Sequence, residues 1–185
     1  MSTILQWVET VATSLLAVAA VFGVWRYWKD RRWTRSQASC EFYDKFDQHE
    51  ACHLAMFMMD YVKLTFIFTP PFLRKKLTIP WDSQLRAEVF SGRYENVSDD
   101  KVRAVRYLFD VYIGYLERVF YLFDTGVFRK KELLFYKYWL DKLISTEWSD
   151  LLEYARNNSC GIFVPFLERY RRMYKERIEH YLESI

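Results

Sequence analysis

Residues 49–53 read HEACH. His49, Glu50 and His53 stand at the H-E-x-x-H spacing of zinc metalloproteases. On a helix, two histidines four apart share one face and can hold a zinc ion. The glutamate between them then acts as general base on the metal-bound water. Such a centre needs a third ligand. The only other histidine is His180, and no spacing singles out a downstream glutamate. Phe42, Phe46, His49, His53, Met56 and Leu64 instead follow a helical stripe, with Phe57 beside it. The expectation is therefore structural histidines on an apolar seam and no cofactor, with His49 and His53 as the ligands if a metal binds.

A second group with chemical potential lies in ERYRRMYKERIEH, near the end of the chain. Arginines interleaved with Tyr170 and Tyr174 are suited to RNA contact. Glu168–Arg172, Arg172–Glu176 and Glu176–His180 are also i,i+4 partners, which predicts a self-paired solvated face.

A third group precedes and enters an uncharged apolar run, TVATSLLAVAAVFGVW, from Thr10 to Trp25. Gln6, Thr10, Thr13, Ala17, Ala20 and Val24 recur at helical spacing, polar at one end and small thereafter, and Glu9 lies beside them. Small and hydroxylated stripes mark helix–helix contact in membranes, and a ring of such helices can line a water-filled path. An ionisable group at its mouth is a functional-site candidate.

The elements that would position these residues follow from composition. The chain has 185 residues, 51% apolar and 19% aromatic, with only 5 glycines and 4 prolines, which disfavours a loop-rich or many-stranded fold. Three cysteines, Cys40, Cys52 and Cys160, match no zinc ribbon or disulfide framework and are expected to be reduced thiols. The net charge of +3 comes entirely from residues 1–35, which hold five basic and two acidic groups; the remaining residues balance. A basic cluster beside an apolar run fits a membrane edge better than a nucleic-acid face.

Trp7 and Trp25 are 18 residues apart, about 27 Å of helix, close to the roughly 30 Å hydrocarbon core. The reading is one transmembrane helix, Ile4–Trp28, with Trp7 at one interface and Trp25, Arg26, Tyr27, Trp28, Arg31 and Arg32 at the other. The basic residues come after the run, so the N-terminus is expected outside an inner membrane and the C-terminal domain in the cytoplasm. The remainder reads as helices: 37–68, ended by Pro70-Pro71; Asp82–Phe90; a long helix capped by Ser98 and ended by Gly126; Arg129–Ser145; a helix capped by Thr146; and a last helix with Pro165 in its first turn. No alternating strand run stands out. The expected organisation is all-α, with residues 1–35 as membrane helix and basic juxtamembrane segment and residues 36–185 as a helical bundle.

The layout of a membrane helix followed by aromatics and arginines, a long helix and a YLERVFYLFDTGVF turn resembles the small membrane accessory proteins of type VI CRISPR systems. The resemblance implies a HEPN-like helical domain, homo-oligomeric assembly in the lipid bilayer, and a pore that permeabilises or depolarises the membrane in antiviral defence. It also implies an RNA-guided nuclease or its RNA products as partner, and no small-molecule substrate. HEPN ribonucleases carry Arg, four to six residues, then His. The nearest match is Lys175 with His180; seven residues separate Arg172 from His180, and Arg177 is too close. The resemblance therefore implies a non-enzymatic protein. The alternatives are a divergent ribonuclease using Lys175 and His180, or a tethered adaptor without a pore.

Overall fold

The structure is a computed structural model that describes residues 2–91, 98–158 and 160–183; the side chains of residues 2–6, 8–11 and 174–183 are outside the description. The described chain is predominantly helical, with seven α-helices and one two-stranded ribbon. It divides into two units, Met1–Glu41 and Phe42–Ile185. The basic cluster ends at Arg35, which sets the boundary expected from sequence. The division comes later, because Phe42 is where rings begin to meet the C-terminal core, edge-on to Tyr115 at 5.9 Å and to Phe128 at 6.3 Å.

The helix α1 runs from Ser2 to Gln48 and α2 from Glu50 to Asp60. The expected helix over 37–68 is thus broken twice. His49 has extended backbone (φ −74°, ψ 115°) and is the N-cap of α2. Beyond α2 the chain forms strands in place of the expected helix and loop. Strand β1 (Leu64–Phe68) pairs antiparallel with β2 (Leu77–Trp81), in a register that sets Leu64 opposite Trp81 and Phe68 opposite Leu77. Burial has period two: Leu77, Ile79 and Trp81 are buried, whereas Thr78 and Pro80 are exposed. A two-stranded ribbon leaves each strand one edge outside the ladder, where a residue such as Pro80 is tolerated. Trp81 fixes the ribbon to α2 by donating its indole N–H to the Met58 carbonyl at 3.0 Å.

Helix α3 (Ser83–Phe90) begins as its sequence suggests, with Asp82 accepting the Leu85 N–H at 2.9 Å. Helix α4 (Asp100–Asp124) is capped by Asp99, not by the expected Ser98; Asp99 accepts the Lys101 N–H at 2.6 Å. It ends at Thr125 and Gly126, whose φ of +72° lets the chain reverse; the Gly126 N–H reaches the Phe123 carbonyl at 3.0 Å. The expected helix over Arg129–Ser145 is a 3₁₀ turn, Glu132–Tyr136, leading into α5 (Lys137–Leu143). Likewise Thr146 opens a 3₁₀ turn to Trp148 instead of capping a helix, and α6 comes next (Ser149–Asn157). Helix α7 spans Phe163–Glu183.

The core of the C-terminal unit gathers around α4. Its apolar residues recur on one stripe, and Val105, Leu108, Phe109, Tyr112, Leu116, Val119 and Phe120 are fully buried. Phe109 lies 5.9 Å from Trp81 and 6.0 Å from Trp148. Phe120 stacks on Phe166 of α7 at 3.8 Å. Polar ties complete the packing. Buried Arg106 donates to the Val89 carbonyl at 2.9 Å, satisfying the end of α3. Glu117 on α4 accepts the N–H groups of Ile162 and Phe163 at 3.1 and 3.2 Å, serving the start of α7. Arg86 forks onto both Asp150 oxygens at 2.8 and 2.7 Å.

Candidate functional site

Two places among the described residues stand out. The first is in α1. From Ala12 to Trp28 every side chain is exposed. Leu15, Leu16, Phe22 and Trp25 are 66, 71, 59 and 56% accessible. These residues advance about 100° each around the helix, so apolar side chains point to every side, and no charged side chain stands between Ala12 and Trp25. Bare apolar surface of this kind costs about 25 cal/mol per Å² in water. Below it, exposed Arg26, Lys29, Arg31 and Arg32 are interleaved with exposed Tyr27, Trp28 and Trp33. The Lys29 ammonium sits 5.3 Å from the Trp25 ring, and Arg26 pairs with Asp30 at 3.9 Å. Among the described residues, no helix is long and apolar enough to cross a membrane. The apolar run of the sequence starts at Thr10, and the side chains of Thr10 and Val11 are outside the description.

Of the candidate stripe, Thr13, Ala17 and Ala20 are exposed on α1. Gln6, Glu9 and Thr10 belong to the same helix, but their side chains are outside the described residues. The interface residue Trp7 is exposed, as are Trp25, Arg26, Tyr27, Trp28, Arg31 and Arg32.

The second place is an open cleft of about 450 Å³ on α4, lined by His49, Tyr107, Asp110, Val111, Gly114, Tyr115 and Arg118. Asp110 accepts the Tyr154 hydroxyl at 2.8 Å, and burial pushes its carboxyl up to about 6 against the lowering effect of that bond. The Tyr154 phenol is raised in turn, by burial first and by Asp110 second. The Arg118 guanidinium lies 5.5 Å from the Tyr115 ring, and among the described residues no carboxylate pairs with it. No motif or spacing in the sequence foretold this cleft. The available signal was a glycine in the middle of a long amphipathic helix, flanked four residues away by opposite charges.

HEACH does not assemble as its spacing suggests. His49 stands at the helix break, its ring 5.3 Å from Tyr115 and its Nδ1 buried without a hydrogen-bond partner among the described residues. His53 lies inside α2, exposed, edge-on to Phe57 at 4.5 Å. Among the described residues, no three His, Cys, Asp or Glu side chains converge as a metal site would require. The apolar seam includes Phe46 and Met56, which are buried, but not His53.

Lys175 and His180 fall on α7, with side chains outside the described residues. Of the expected pairs on that helix, Glu168 is engaged elsewhere: it accepts from Arg156 of α6 at 2.8 Å, while Arg169 pairs with Asp124 of α4. Tyr170 is turned inward and donates to Asp141 at 2.9 Å. All three cysteines are free thiols. Burial raises Cys52 to about 12 and, with Glu117 and Asp110 adding to it, Cys160 to about 11, so neither is poised as a nucleophile.

No family model, curated protein or solved structure matches the chain.

Proposed function

We propose that this chain is a membrane-anchored, self-associating helical protein that acts without catalysis, α1 entering the bilayer and the C-terminal unit remaining in the cytoplasm. The observation that carries the reading is the bare apolar stretch of α1. An amphipathic helix lying on a membrane surface keeps a polar face for water. Residues 15–25 carry no charged or hydroxylated side chain, so lipid or other helices suit them better than water does. The described apolar segment accounts for about 20 Å of helix. The Trp7–Trp25 spacing of about 27 Å is bridged by slight thinning of the bilayer. The arginine cluster favours the cytoplasmic side for residues 36–185.

Thr13, Ala17 and Ala20 give this helix one side that suits another copy, or water, better than lipid. In the proposed assembly that side faces inward, and the ring permeabilises the membrane. Glu9 at the outer mouth favours cations. The placement in antiviral defence, beside an RNA-guided nuclease, is supported by the resemblance in layout alone.

The test is dye or ion leakage from liposomes holding the full chain, with particle mass measured in parallel. Leucines at Thr13 and Ala17 are expected to abolish leakage, by plugging the path or separating the helices. Leucines at Val18 and Phe22, on the lipid side, are expected to leave it intact. Equal behaviour of the two pairs would remove the pore and leave a tethered adaptor.

A further inference from the structure

We infer that the open face of α4 is a two-fold docking surface for a second copy of this chain, the two α4 helices crossing antiparallel at Gly114. This rests on the self-associating reading above, but it assigns a contact to the C-terminal unit, independent of α1.

Gly114 lies inside a 25-residue helix. A glycine there costs about 1 kcal/mol relative to alanine. Nothing among the described residues calls for it: its backbone is not in the left-handed region, and apart from its chain neighbours and the adjacent turns of its own helix backbone no atom comes within 4 Å of the position its Cβ would take. A small residue on an open helix face does one thing well, which is to let another backbone approach closely.

The residues around Gly114 are self-complementary. Asp110 stands four before it and Arg118 four after; Tyr107 stands seven before and Tyr121 seven after. All share the face of Gly114, by helical spacing. A two-fold axis through Gly114 exchanges the members of each pair between copies. Each Asp110 then meets the Arg118 of the second copy, twice over, and each Tyr107 faces a Tyr121. A parallel pairing would set Asp110 on Asp110 and Arg118 on Arg118, so the charge order selects the antiparallel arrangement. Arg118 and Tyr121 are exposed, no carboxylate of the described chain pairs with Arg118, and the cleft beside Gly114 is open. Asp110 and Tyr107 line the same cleft half-buried, Asp110 while accepting from Tyr154 and Tyr107 while packed on Phe68 and Phe72. A peptide or small ligand would gain nothing from this symmetry.

Cross-linking tests the geometry. The full chain is purified in detergent with Cys40, the exposed thiol, changed to Ala. In this background Gly114→Cys brings two thiols together at the axis, within disulfide reach. Arg118→Cys places them about 12 Å apart along the helices, beyond it. Under copper–phenanthroline, Gly114→Cys is expected to run mostly as a disulfide-linked dimer, with at least tenfold less product for Arg118→Cys. In the native background, Arg118→Asp is expected to weaken dimerisation of the C-terminal units at least tenfold. Gly114→Ala provides a readout that a structural glycine would not: it should raise the unfolding midpoint while weakening association. Absence of the Gly114→Cys dimer, or equal cross-linking of the two variants, overturns the proposal. If such protein still has the mass of an assembly, self-association through α1 survives. A Gly114→Cys dimer in protein whose leakage is indifferent to leucines at Thr13 and Ala17 supports the α4 contact and removes the pore.

Discussion

Helices α1 and α4 draw on the same residue types to opposite ends. In α4, Leu108, Phe109, Leu116 and Phe120 are fully buried; in α1, Leu15, Leu16, Phe22 and Trp25 are more than half exposed. The difference is periodicity. The apolar residues of α4 return to one side every three or four positions and leave the other side to Arg103, Asp110 and Arg118. Those of α1 fill every position from Leu15 to Trp25 with an apolar or small residue. A one-sided helix can be satisfied by its own chain. An all-round apolar helix needs a neighbour on every side, and residues 12–28 are exposed.

Paired substitutions make the contrast measurable. The largest effect belongs to Phe120→Ala, which removes a ring packed between α4 and α7. It should cost about 3–5 kcal/mol in denaturant unfolding of the full chain in detergent. Phe22→Ala, the same change on α1, should shift that unfolding by less than about 0.5 kcal/mol. Similar costs at the two positions would mean that α1 is packed as a core helix.

The next effect concerns ionisation. The carboxyl of Asp110 has its folded value raised to about 6 by burial, above the 3.8 of a free carboxyl. The folded state therefore holds the proton more tightly than the unfolded state. Stability from this group is fully present below about pH 4 and is lost as pH rises through about 6. In protein whose α4 contact is removed by Arg118→Ala, so that Asp110 meets no cation of a second copy, unfolding free energy should fall by about 2–3 kcal/mol between pH 4 and pH 7. Asp110→Asn should flatten that slope and gain stability at pH 7; an unchanged slope in the variant would assign it elsewhere.

A smaller effect separates two glycines. Gly126→Ala, at a φ of +72°, should lose about 1 kcal/mol, opposite in sign to Gly114→Ala. The smallest is Glu50→Gln. If His49 and His53 are structural, it should leave leakage and assembly near wild type. Stoichiometric zinc in purified protein together with loss of activity in this variant would restore the metalloprotease reading.

The sequence revealed elements whose ends carry local chemistry. Asp82 before α3, and Asp99 and Gly126 around α4, act through bonds to their nearest neighbours in the chain, so most boundaries were legible to within a residue or two. The β-hairpin was not. Its strands are five residues long, Leu64 continued an apparent helical stripe, and Pro80 looked like an interruption. Its stability comes from distant partners: Trp81 bonds to Met58 and packs on Phe109. The break at His49 was hidden for a similar reason. HEACH has good helical spacing, and its reading changes only when the first histidine is seen to stand outside the helix. The α4 cleft has contributors on both α4 and the α1–α2 corner, a juxtaposition that periodicity cannot reveal.

A membrane anchor at α1 requires that lipid cover its apolar stretch. The most direct measurement is alkaline carbonate extraction of membranes from cells making the full chain. Wild-type protein should stay in the membrane pellet, and a variant with arginine at both Val18 and Phe22 should leave it, since each charge near the centre of the span costs about 2.5–3.5 kcal/mol. Wild-type protein released into the soluble fraction by carbonate would contradict the anchor, and with it the pore.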